Sequence, residues 1–247
     1  MRRNKAPENN LLEFLQIKNE TETSADLYFY GDIVSDSWSA WADEDQYPES
    51  VRDFLKDQSG KELNIYINSG GGSVFAGVAI YNMLKRHNGV KTVHVDGLAA
   101  SIASVIALVG DKIIVPKTAM IMVHKPWMGV WRGYNAPEFR KMADDLDNVE
   151  KVIMNVYEEN LKEDVKISTI QELVNNETWL TGDEASKYFN IEVTDEVDQK
   201  AACISEHFKN YKNVPKDFIK KEPKEHENNN KDKDLEKEKL LIELDLI

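Results

Sequence analysis

The sequence predicts an α/β fold of stacked βαβ units around a mostly parallel sheet. Two observations carry this. Short runs of β-branched and aromatic residues alternate along the chain with segments whose apolar positions recur at helical spacing. Glycine- or asparagine-containing breaks separate them, and no internal repeat is present. Residues 27–31, Leu-Tyr-Phe-Tyr-Gly, read as a strand ending at a glycine. Residues 35 to about 58 are rich in Trp and acids and predict a helix, with the clearest helical spacing in 50–55. Residues 62–68 alternate as a strand, and 74–86 form a helix stopped by His87-Asn88-Gly89. Residues 91–96 are a strand, 101–109 a helix, 112–116 a short strand and 119–124 another.

A Gly/Trp-rich arm (127–134) leads to the longest predicted helix, 137 to about 162, whose stripe is Phe139, Met142, Leu146, Val149, Ile153 and Val156. Short helices over 167–174 and 183–189 complete the pattern. Strands alternating with helices imply a parallel sheet covered on both faces. The domain plan is an N-terminal extension (1–25), a folded domain (26–205), and a charged tail (206–247). The tail's linker, 220–239, ends in the apolar stretch 240–247, which reads either as a docking segment or as an artificial addition to the chain.

Composition narrows the partners. The 31 Lys and Arg against 44 Asp and Glu leave a net charge of -13, which disfavours a nucleic-acid partner. Cys203 is the only cysteine, so no intrachain disulfide forms and a reducing compartment fits. The start of the chain lacks the apolar core of a signal peptide, and the longest apolar run, 102–110, is too short to span a bilayer. A cytoplasmic protein with no membrane partner, no metal and no cofactor is the expectation.

Three segments carry chemistry. Gly97-Leu98-Ala99-Ala100-Ser101 places a serine where a helix begins, beside first-turn amides and small residues that leave room for a ligand. On its own Ser101 reads more readily as a helix cap than as a nucleophile. Ile67-Asn68-Ser69-Gly70-Gly71-Gly72-Ser73 is a glycine turn after a strand, able to bring backbone amides close to a ligand. It lacks the lysine of a phosphate loop, and the chain has no Gly-x-Ser-x-Gly elbow. Met122-Val123-His124-Lys125-Pro126 ends a strand on a histidine just before the chain must turn. A donor loop, a hydroxyl and an imidazole base are the parts of an acyl-transfer site.

Together with Glu177-Thr178-Trp179-Leu180-Thr181 and Glu184-Ala185, these segments resemble the proteolytic subunits of the ATP-dependent Clp proteases. More narrowly they resemble the Clp-like head maturation (prohead) proteases of tailed phages, through the triple glycine, the Glu-Thr-Trp segment and the charged tail. The resemblance covers about 27–197. It implies the Clp protease/crotonase-like fold with a protruding handle helix, Ser101 as nucleophile and His124 as general base. It implies Gly71 and Ile102 as oxyanion amide donors, and substrate held extended between Gly72, Ser73 and Val74 on one side and Pro126 and Trp127 on the other. The family's third member is usually an aspartate where this chain has Glu177. An active glutamate, a Ser-His pair alone, a neutral Asn175 and a plain surface Glu177 are all consistent with the sequence. A homo-oligomeric ring, a heptamer or stacked double ring, is implied through the helix that starts near 137.

The function expected is a serine endopeptidase acting on phage capsid or scaffold proteins. The alternatives are a housekeeping Clp subunit fed by an ATP-driven unfoldase, a crotonase-like acyl-coenzyme A protein, and a non-catalytic scaffold.

Overall fold

A computed structural model describes residues 20–195 and 205–215. Most of the predicted N-terminal extension, Cys203, the charged linker and the apolar end segment lie outside the described residues. Among the described residues seven strands form one sheet: β1 (Ser24–Phe29), β2 (Glu62–Ser69), β3 (Lys91–Ala100), β4 (Lys112–Pro116), β5 (Met120–Val123), β6 (Thr178–Thr181) and β7 (Glu192–Thr194). The helices are α1 (Pro48–Lys56), α2 (Val74–Lys85), α3 (Ile102–Ala107), α4 (Ala136–Glu159), α5 (Ile167–Asn175) and α6 (Gly182–Ala185), followed by a 3-10 turn, Glu206–Asn210. β1, β2, β3, β4 and β7 pair in that order, all in parallel. The α/β architecture expected from the alternating pattern is therefore present.

β3 forks. Thr92–His94 pair with β4, whereas Leu98–Ala100 pair in parallel with Met120–Met122 of β5. β5 in turn carries antiparallel β6, with Met122 opposite Trp179. The pattern predicts a strand ending at Asp96, because Gly97 and the two alanines carry no β propensity. They are strand because Leu98, Ala99 and Ala100 are fully buried between β2 and β5, where small side chains let the layers approach.

Helix α1 is nine residues long, where a helix from 35 was expected. Upstream, the Asp36 carboxylate accepts the amides of Trp38 and Ser39, and that of Asp45 accepts those of Trp41 and Ala42. Such local side-chain turns compete with the helical ladder, and Pro48 in the first turn sets the start. Asn135 caps α4 reciprocally with Glu138, so the helix begins at Ala136.

The alternation of β2 divides its faces. Leu63, Ile65 and Ile67 are fully buried in the hydrophobic core. The opposite face is only partly covered, and there Tyr28, Tyr66 and His94 stack across three strands at 4.7 and 4.9 Å. Full coverage of both faces is thus not realised. The stripe of α4 is buried only toward its C-terminal end, at Ile153 and Val156, while Phe139 is 51 % exposed.

The folded unit also extends further than its charge pattern implies: it continues to Val214 and takes in residues 206–214, which composition assigns to the tail. Its β1 begins at Ser24, inside the range assigned to the extension.

Gly77 of α2 marks where α2 and α3 touch. A Cβ there would lie 2.1 Å from Ile102 Cγ1. Gly to Ala in a helix ordinarily stabilises by about 1 kcal/mol. Here overpacking of about 1–3 kcal/mol outweighs that gain. Thermal and urea unfolding of Gly77→Ala should show a net loss of stability.

Candidate active site

Ser101 sits at the junction of β3 and α3, in a backbone conformation of φ 54° and ψ -125°. Non-glycine residues rarely adopt positive φ, and such strain persists only where surrounding contacts over-determine it. Those contacts are present. The Ser101 amide donates to Met122 O at 2.9 Å, continuing the β3–β5 ladder. Its carbonyl accepts from Ser104 Oγ at 2.6 Å, and Ser104 pairs at 2.8 Å with the hydroxyl of buried Tyr157 on α4. The Ser101 side chain caps nothing. Instead, its Oγ lies 2.7 Å from Nε2 of His124, which follows β5. The pairing of β3 with β5 brings hydroxyl and imidazole together across 23 residues.

Burial pushes the His124 pKa down to about 4 from 6.5. The Glu177 carboxylate opposes that shift through space, and His207 reinforces it. Above that value the imidazole is neutral and can accept a proton. Glu177 follows α5 at φ 48°. Its Oε1 accepts the backbone amide of Asn213 at 2.6 Å. Among the described residues, the only hydrogen bond on His124's ring is the one to Ser101. Glu177 is therefore near the base but is not bonded to it. Asn175, the neutral alternative, accepts from Gln171 Nε2 at 3.3 Å instead.

The glycine turn lies on the other side of Ser101. A Cβ on Gly71 would lie 2.7 Å from Ala100 O and 2.8 Å from Ser101 Cβ, so only glycine allows this approach. The Gly71 amide, however, donates to Ser69 Oγ at 3.2 Å. Gly72 lines the cleft. Ser69 thus engages the amide of the expected donor Gly71, while among the described residues the amides of Gly72 and Ile102 make no hydrogen bond. The extended run after the glycine turn is short. Ile33 N–H donates to Gly71 O, and Ser73 N–H donates to Ile33 O, both at 2.7 Å, but Val74 already begins α2.

A cleft of about 710 Å³ opens beside Ser101 and His124. All five expected substrate contacts, Gly72, Ser73, Val74, Pro126 and Trp127, line it. Leu146, Val149 and Val152 of α4 form an apolar wall, and His207 and Tyr211 close one side. From sequence, Leu146 and Val149 fall on a helix stripe and the other two in the tail. The aromatic pair Phe208 and Tyr211, set in a charged segment, is the signal that could have marked the latter.

With this geometry in view, comparison with known proteins is decisive at the level of family. Residues 53–196 match the Clp protease family, and the chain belongs to it. It is 33 % identical over 132 residues to the ATP-dependent Clp protease proteolytic subunit 1 of Chlamydia abortus, covering 52 % of this chain and 67 % of that protein. It is 34 % identical over 132 residues to subunit 2 of Thermobifida fusca, covering 52 % and 62 %. It is 33 % identical over 133 residues to the corresponding subunit of Ligilactobacillus salivarius, covering 53 % and 65 %. The matched stretch thus spans about two thirds of these relatives' length.

The depressed His124 pKa has a consequence for stability. Between 6.5 and about 4 the unfolded chain binds a proton that the folded site excludes, so stability falls as pH falls through that window. The loss attributable to this group reaches about 3 kcal/mol at the lower end. Denaturant unfolding at pH 7 and pH 4.5 should show a smaller acid loss in His124→Gln than in the wild type.

Proposed function

We propose that this chain is a serine endopeptidase of the Clp type, working by acyl transfer from Ser101. One observation carries the reading: the 2.7 Å contact between Ser101 Oγ and a buried His124, on a serine held at positive φ beside an apolar cleft. His124 takes the Ser101 proton as the hydroxyl attacks a peptide carbonyl. The amides of Gly72 and Ile102 hold the oxyanion. His124 then protonates the leaving amine, and water resolves the acyl-enzyme. Glu177 acts through its charge rather than through a hydrogen bond. The apolar wall from α4 suits an apolar side chain on the acyl side of the scissile bond. A helix cap needs none of this, and a crotonase-like site does not need the Ser101–His124 pair.

The substrates proposed are capsid or scaffold proteins of a tailed phage, cut during head maturation in the host cytoplasm. The triple glycine, the Glu-Thr-Trp segment and the charged tail support that assignment. A housekeeping role is the second reading, favoured by relatives whose names are those of ATP-dependent Clp subunits. The two differ in one measurement. A head maturation protease cleaves co-assembled or unfolded chains without nucleotide, whereas a housekeeping subunit degrades folded protein only with an ATP-driven unfoldase. The proposed assembly is a homo-oligomeric ring, a heptamer or stacked double ring. The exposed Phe139 and part-exposed Met142 support it as surface left for a second copy. Native mass spectrometry of Phe139→Glu/Met142→Glu should show a smaller assembly than the wild type.

A fluorophosphonate probe tests the chemistry. It should label Ser101, and His124→Ala should slow labelling about 1000-fold. An unlabelled wild-type assembly would defeat the proposal. Glu177→Gln should slow labelling less than about tenfold, against about 10⁴-fold for an acid hydrogen-bonded to its histidine. Removing its charge should also move the acid limb of the pH profile downward, because Glu177 raises the His124 pKa.

A further inference from the structure

Residues 205–213 cross the site and bind three of its parts. Ser205 Oγ donates to Asp32 Oδ1 at 2.6 Å, and His207 Nε2 lies 3.6 Å from Asp32 Oδ2, which anchors the segment beside the glycine turn. The Tyr211 hydroxyl donates to Gly70 O at 2.6 Å. The Tyr211 ring meets the His124 ring at 5.0 Å, with planes at 75°. Asn213 donates its backbone amide to Glu177 Oε1 at 2.6 Å, and its side-chain amide to the carbonyls of Asn176 and Glu177 at 2.9 and 3.1 Å.

A general base must be held in one orientation to meet its hydroxyl. In a Ser-His-acid site the acid does this by accepting a hydrogen bond from the second ring nitrogen. Here Asn213 engages the Glu177 carboxylate instead. What lies against the imidazole is Tyr211, which is only 8 % exposed. Trp179 of β6 and Phe208 back that ring, at 6.0 and 6.4 Å. Trp179 pairs in register with Met122, two residues before His124.

We propose that Tyr211 is the positioning residue of the base. It holds the His124 ring toward Ser101 and, through Gly70, ties the glycine turn to the same point, taking over the orienting role of a hydrogen-bonded acid. The inference rests on the Ser101–His124 reading above. It makes the 205–213 segment part of the active site rather than of the tail.

The test is the pH profile of fluorophosphonate labelling at Ser101 in the full chain. The groups facing His124 are Ser101, Glu177, His207 and Tyr211, so the variants change Tyr211 alone. Tyr211→Ala should lower the plateau about 10- to 100-fold. It should also move the acid inflection upward, because water reaches the imidazole. Tyr211→Phe keeps the ring and should keep the inflection, losing about threefold with the Gly70 tie. Should Tyr211→Ala melt below the assay temperature, Tyr211→Gln, which removes the ring and is polar enough to admit water, takes its place under the same criteria. A wild-type plateau and inflection in the variant lacking the ring would overturn the proposal. So would a lowered plateau with an unmoved inflection, which marks a merely structural role. A wild-type chain that does not label overturns the Ser-His reading itself, and that outcome is distinguishable because no variant need be compared.

Discussion

The site depends on the pairing of Leu98–Ala100 with Met120–Met122. This short parallel ladder draws the end of β3 away from β4 and sets the Ser101 amide on the Met122 carbonyl. It places the end of one strand beside the end of another, so that hydroxyl and imidazole project from neighbouring backbones. The strained φ of Ser101 follows from the same constraint, since the chain must leave the ladder and enter α3 within one residue. The Ser104–Tyr157 pair holds that turn from beneath.

The electrostatics of the site follow from this packing. A histidine at the end of a buried strand loses water on most sides, and desolvation outweighs the nearby carboxylate. The result is an imidazole kept neutral well below neutrality, ready to accept a proton but without a hydrogen-bonded anion to support the imidazolium. Orientation then falls to packing, and the aromatic cluster of Trp179, Phe208 and Tyr211 lies where it can supply it. Glutamate in place of aspartate at 177 fits this division, because its carboxylate engages Asn213 while its charge still acts at the ring.

The handle helix serves two surfaces. Its capped N-terminal half carries Phe139 outward, its middle turns form the apolar wall of the cleft, and its end is buried with Tyr157 against α3. A single helix thereby links exposed surface, cleft and nucleophile through contiguous contacts.

Local pattern alone determined the alternation of strands and helices, the start of α2 and the identity of Ser101, His124 and the glycine turn. These are set by periodicity, by turn residues and by the scarcity of histidines, all of which act over a few residues. Family resemblance added the roles. What the tertiary structure decided depends on contacts between distant segments. It extended β3 through Gly97 and two alanines, because burial rather than propensity makes them strand. It ended the helix before Pro48, where carboxylates captured the amides upstream. It set the Ser101 hydroxyl against His124 instead of on a cap, and it turned the Gly71 amide onto Ser69. It also folded residues 205–213 back over the site: composition assigns nearly all of that stretch to the charged tail, and only its hydrogen bonds to Asp32, Gly70 and Glu177 reveal what its Ser, Tyr and Asn bind.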